Sequence, residues 1–279
     1  MTPAFHGDAA VQSAVIELLK GHAAAGTLSF GATRWDGTGG STLGIAAESE
    51  DSGDYATRFG YPLALAGLLD PIVAVNHAGA LDTAIAWHEH VLPGSDLSGV
   101  PATLLTDLLE RLGAGASAPD YFAIVIDMHR NEARGDTASR TAWSRLREEI
   151  EARATAAENA TRIALNACTL ACWPLATSRS VLVGLVHAFA AATNGAPSPD
   201  FDEDDRCTAN AILQVLWDET QPQRDAGDPV HLPTLFRARH PDLSSRFEAD
   251  LARSNAYRAA RAAQAQQLVL THLAAAGTP

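Results

Sequence analysis

Three stretches of the chain carry side chains suited to acid–base or metal chemistry. The first is Asp127-Met128-His129, with Glu132 three residues further on. If residues 121–127 form a strand, Asp127 and His129 project the same way from its end. In open α/β architectures that end is where ligands collect. Glu132 joins them if the chain turns helical there. Asp127, His129 and Glu132 together can share proton transfer, or hold a divalent metal that activates a water. A helix running from Asp120 instead sets Asp127 and His129 about 200° apart and dissolves the cluster.

The second stretch is His77 together with His88-Glu89-His90. A His-x-His pair chelates a metal from a strand or loop, whereas on a helix its two rings diverge. His77 and His88 can share a helix face, but eleven residues separate them by ~16 Å along the axis. The candidate metal set is therefore His77, His88, His90, Asp127 and His129, and it needs the fold to bring distant imidazoles to His129. The cofactor such a site implies is a divalent metal of unknown identity.

The third is Asp36-Gly37-Thr38-Gly39-Gly40-Ser41-Thr42. Its glycines would let backbone N–H groups approach an anion. The dinucleotide pattern fails, because Thr42 stands where the third glycine belongs and a strand rather than a helix is expected to follow. A hairpin turn is the reading adopted.

Other chemistries lack their residues. There is no Gly-x-Ser-x-Gly elbow. Cys168 and Cys172 lie four apart in an alanine-rich helical context, where burial raises a thiol pKa, and Cys207 stands alone. The basic set is nineteen arginines and one lysine, Lys20, which sits in none of the contexts of a P-loop, a Schiff base or a protein kinase. Asp200, Asp202, Glu203, Asp204 and Asp205 read as negative charge offsetting a helix macrodipole. Trp35, Trp87, Trp143, Trp173 and Trp217 read as packing anchors.

The net charge of −13 disfavours phosphate backbones and anionic membranes. Six arginines between 237 and 261 are interspersed with carboxylates, the pattern of solvated helix faces. No apolar run reaches the ~18 residues of a membrane span. The opening residues lack the basic and apolar regions of a signal peptide. The expectation is a cytoplasmic, bacterial-type protein, with no membrane or nucleic-acid partner and with a protein partner bearing a basic surface.

The elements that would position these residues are mostly helical. Helical spacing and stop signals predict helices over 8–25, 62–70, 78–92, about 98–112, 178–193 and about 203–219, and one or two over 242–275, with Asp8 as the first N-cap. The longest helical signal follows Asp136 and continues to Pro174. Residues 28–35 and 41–46 are expected to pair as a hairpin, and 72–75 and 121–126 are short apolar runs that fit strand or buried helix alike. The fold expected is mainly α with a small β element in the first half. The alternative is α+β or α/β, with a sheet built from 28–35, 41–47, 72–76 and 121–127. A boundary near Gly135 divides a mixed half, 1–135, from an all-helical half, 136–279, unless it is a seam within one domain.

Charge, helical build and missing catalytic signatures point first to a non-catalytic, acidic interaction factor of the immunity or regulatory kind. The alternative is a metal-dependent hydrolase centred on Asp127, His129 and Glu132.

Overall fold

The structure is a computed structural model and describes residues 2–76, 79–114, 119–157, 159–191, 198 and 200–276. Among these residues the chain is helical and contains no strand. It divides into two compact units, one of residues 1–192 and 260–279, the other of residues 193–259. Gly135, the expected boundary, lies inside the first unit.

The first unit contains α1 (Ala9–Ala24), α2 (Thr42–Ala47), α3 (Ser52–Phe59), α4 (Leu63–Ala66), α5 (Leu69–Ala74), α6 (Ala80–Glu89), α7 (Val100–Gly113), α8 (Pro119–Ala133), α9 (Arg140–Thr155), α10 (Asn159–Leu170) and α11 (Val181–Ala191). The second holds α12 (Glu203–Glu219), α13 (Gln221–Asp225) and α14 (Leu232–Arg239). A final helix, α15 (Pro241–Ala275), begins in the second unit and ends in the first.

Several helices follow directly from their own residues. Asp8 caps α1 by accepting from the Ala10 amide, and Gly26, at φ 70°, stops the chain just beyond it. Pro101 sits in the first turn of α7, whose Leu104, Leu105, Leu108, Leu109 and Leu112 recur at helical spacing and are buried. Burying each is worth about 1.5–3 kcal/mol, so this stripe anchors the core. Asp202 caps α12, and Glu203, Asp204 and Asp205 fill its first turn.

The expected β element is absent from the described residues. Segment 28–40 makes only isolated bridges, Leu28 to Gly40 and Trp35 to Gly40, and Thr42–Ala47 is helical. Every residue of α2 is buried, so nothing requires the in–out alternation of a strand. Its start is completed from two sides: the Ser41 hydroxyl accepts from the Gly44 amide, and the Asp70 carboxylate accepts from the Leu43 amide. The other expected strands are also helices. Residues 69–74 form α5, and 121–127 lie within α8. In α8, Phe122, Val125, Ile126 and His129 face inward at steps of three and four, while Ile124 is 45% exposed.

The long helical signal after Asp136 is two helices. Trp143, Leu146, Ile150 and Ala154 of α9 and Ala164, Leu165, Ala167 and Cys168 of α10 are buried in one core. A single rod would carry the two apolar stripes apart along its axis; a break lets α9 and α10 pack on each other. The second unit has a smaller core, Phe201, Ala209, Leu216 and Phe236, with Phe247 edge-on to Phe201 and Phe236.

Besides Glu48, the left-handed C-cap of α2 at φ 55°, backbone strain falls in one segment of the described residues. Phe5 (φ 50°, ψ 24°) and His6 (φ 54°, ψ 22°) are left-handed, and Gly7 follows at φ 78°. For residues with a Cβ this region costs about 1–2 kcal/mol each.

Candidate functional site

The sequence places its candidate chemistry in three stretches, and the structure engages His129, His88 and the glycine-rich loop with internal partners. In α8, Asp127 and His129 point to opposite sides, as its helical backbone requires. Asp127 is 69% exposed and pairs with Arg130 at 3.4 Å. His129 is buried, its Nε2–H donating to the Ala171 carbonyl at 2.7 Å, its ring 4.7 Å from that of Trp143. Glu132 is brought beside it: Nδ1 lies 3.6 Å from the Glu132 carboxylate, which also accepts from the Leu175 amide. The structure therefore joins His129 to Glu132 and separates both from Asp127. Burial depresses the His129 pKa, against the opposing pull of the Ala171 carbonyl and Glu132. A groove of about 600 Å³ between α7 and α8 is walled by Asp107, Glu110, Arg130 and Arg134 among others, and none of Asp127, His129 and Glu132 lines it.

His88 and His90 diverge at the end of α6. His88 is fully buried, and both its ring nitrogens are engaged. Since the Ala84 carbonyl can only accept, Nδ1 carries the proton and donates to it at 2.8 Å. Nε2 then accepts from the Tyr55 hydroxyl at 3.0 Å, and that hydroxyl in turn accepts from the Trp87 indole at 3.1 Å. Desolvation lowers the His88 pKa to about 4, so the ring is neutral at pH 7 and has no nitrogen left for a metal. His90 is near the surface, 3.4 Å from the Leu270 carbonyl. His77 lies outside the described residues. Among the described residues no three His, Cys, Asp or Glu side chains gather as a metal-binding group.

The glycine-rich loop turns out to be an internal clamp. Its amides already have acceptors: Thr38 and Gly39 donate to the Asp36 carboxylate, Gly40 to the Thr27 carbonyl, and Ser41 to the Arg34 carbonyl. The amides of Gly39 and Thr38 hold the Asp36 carboxyl below its usual range. At the start of α2, where an anion would bind, stands the carboxylate of Asp70. It is 2% exposed and accepts from the Thr33 and Ser41 hydroxyls and the Leu43 amide, at 2.8, 2.7 and 2.9 Å. Burial raises its pKa, and these donors oppose the rise. Glycine is needed at 40 and 44, because a Cβ on either would overlap the Arg34 carbonyl. Nothing in the sequence marks Asp70, which reaches its partners from 27 to 37 residues away.

The cysteines and tryptophans sort by depth. Cys168 and Cys172 are buried, which pushes both thiols up, Cys172 to about 12, while Cys207 is exposed. Trp87 and Trp143 are core residues. Trp173 and Trp217, expected as anchors, are instead 42% and 46% exposed. Each lies under a guanidinium, Arg147 at 4.3 Å and Arg224 at 3.4 Å from the ring centre.

The second unit bears twelve carboxylates against seven arginines. Five of those arginines pair with carboxylates of the same unit: Arg206 with Glu203 and Asp250, Arg237 with Glu248, Arg239 with Glu219, Arg246 with Asp205, and Arg253 with Asp250. Asp204, Asp228 and Asp242 are exposed and make no ion pair among the described residues. No helix among the described residues is long and apolar enough to cross a membrane. Compared with protein-family models, curated proteins and solved structures, the chain matches none.

Proposed function

We propose that this chain is a non-catalytic, acidic interaction factor whose partner is a protein with a basic surface. The observation that carries the reading is the asymmetry of the second unit: five of its seven arginines are held by its own carboxylates, while Asp204, Asp228 and Asp242 are exposed and make no ion pair among the described residues. A phosphate backbone would have to displace those carboxylates before meeting any of the five paired arginines. A cationic protein meets the excess negative charge directly, and the field speeds its approach. The engaged state of His88, Asp70 and the glycine-rich loop fits the same reading, because each completes the fold rather than presenting a reactive group.

The test is affinity capture from the source cell at two salt concentrations, with the unchanged chain and with a variant carrying Asp204→Asn, Asp228→Asn and Asp242→Asn. The Debye length shrinks from about 30 Å at 0.01 M salt to about 3 Å at 1 M. The expected partner is retained at the first concentration, released at the second, and held less well by the variant. Recovery of no partner at low salt, or of one indifferent to the three substitutions, overturns the reading.

A further inference from the structure

A groove in the first unit is filled by the chain's own residues 3–7. The Phe5 ring stands edge-on to Phe59 and Tyr61, with centroids 6.1 and 5.9 Å away, and lies 6.4 Å from the His88 ring. The Ala4 amide donates to the Ser95 carbonyl and the Gly94 amide donates to the Ala4 carbonyl, at 3.0 and 2.8 Å. His6 Nε2 bonds the Arg58 carbonyl at 2.9 Å. Pro3 is seated so close to Gly60 that a Cβ there would overlap its carbonyl. The groove thus reads a short segment through main-chain bonds and one aromatic pocket, the mode of a peptide-docking site.

Two features make this segment exchangeable. The side-chain polar groups behind the aromatic pocket do not depend on it, since Tyr55, Trp87 and His88 bond one another. The route out of the groove is strained, because α1 starts at Ala9 and forces Phe5, His6 and Gly7 through consecutive left-handed conformations. A segment arriving from another molecule escapes that constraint at His6 and Gly7. Gly7 has open space around the position of a Cβ, and Asp8 is already extended, so the hinge for such an opening is in place. We propose that residues 2–7 of one copy occupy this groove in a second copy, giving an exchanged dimer with the contacts already seen within one chain.

Complementation between two full-length variants tests it. Phe5→Ala keeps the groove but removes the ring that fills it. Gly60→Ala keeps the ring but blocks the seat of Pro3. Mixed in equal amounts, the first supplies an open groove and the second a free segment. Sedimentation velocity should show dimer in the mixture at a concentration roughly tenfold lower than in either variant alone. A mixture as monomeric as its components, both folded by circular dichroism, overturns the proposal. If either variant does not fold, hydrogen exchange on the unchanged chain decides: the amides of Ala4 and Gly94 should exchange on the order of tenfold or more faster than those of Leu105 and Leu108. Equal rates would mean that the segment leaves only when the whole unit unfolds, and the proposal fails.

Discussion

Acidification offers a quantitative test of the buried His88 network. In the folded chain this ring titrates at about 4, because burial disfavours its charged form, while exposed in the unfolded chain it titrates near 6.5. Above pH 6.5 both states hold a neutral ring and His88 adds no pH dependence. Between pH 6.5 and 4 only the unfolded chain takes up the proton, so stability falls as the pH drops. Each pH unit is worth about 1.4 kcal/mol, which makes about 3 kcal/mol over the window. Protonating Nε2 in place would also require Tyr55 to stop donating to it, breaking the chain that ends at Trp87. The assay is urea unfolding at pH 7, 6, 5 and 4.5, with His88→Gln as reference to cancel the carboxylates that titrate nearby. The variant is less stable at pH 7, and its stability should fall by about 1 kcal/mol less per pH unit between 6 and 4.5. Parallel pH profiles for the two proteins would refute the assignment of a neutral, desolvated imidazole.

Further perturbations separate internal clamps from exposed groups. Asp70→Ala removes the acceptor of two hydroxyls and an amide in a buried site, and should cost about 3 kcal/mol in urea unfolding. Gly44→Ala should destabilise by about 2 kcal/mol or more, although the same change in an ordinary helix interior stabilises by about 1 kcal/mol, because the added Cβ meets the Arg34 carbonyl. A thiol reagent should modify Cys207 alone in the native protein and all three cysteines in denaturant. Leu105→Ala, in the leucine stripe of α7, should cost about 2–5 kcal/mol by thermal or urea unfolding.

Much of the helical plan was legible in the residues. Residues 203–219 are α12, because an aspartate cap and an acidic first turn mark its start locally. The leucine stripe of α7 and the buried pair Cys168 and Cys172 also follow from spacing alone. The failures share a cause. Segments 43–47 and 121–126 are short unbroken apolar runs, so neither period stands out, and the choice falls to partners elsewhere: Asp70 for α2, and α7, which packs against α8. The break between α9 and α10 has the same origin, since each half is a good helix and only packing against each other favours two. The candidate trio at 127–132 depended on an extended backbone there. As a helix, the segment keeps the imidazole and Glu132 together and turns Asp127 toward solvent.

The sequence by itself determined that this chain is helical and acidic, because helix hydrogen bonds, caps and apolar stripes are local and charge is additive. Tertiary structure alone decided which polar groups became interior. Tyr55 meets His88 across 33 positions, and Asp70 meets Thr33, Ser41 and Leu43 across 27 to 37. Such pairings satisfy buried donors and acceptors only once distant segments are packed together.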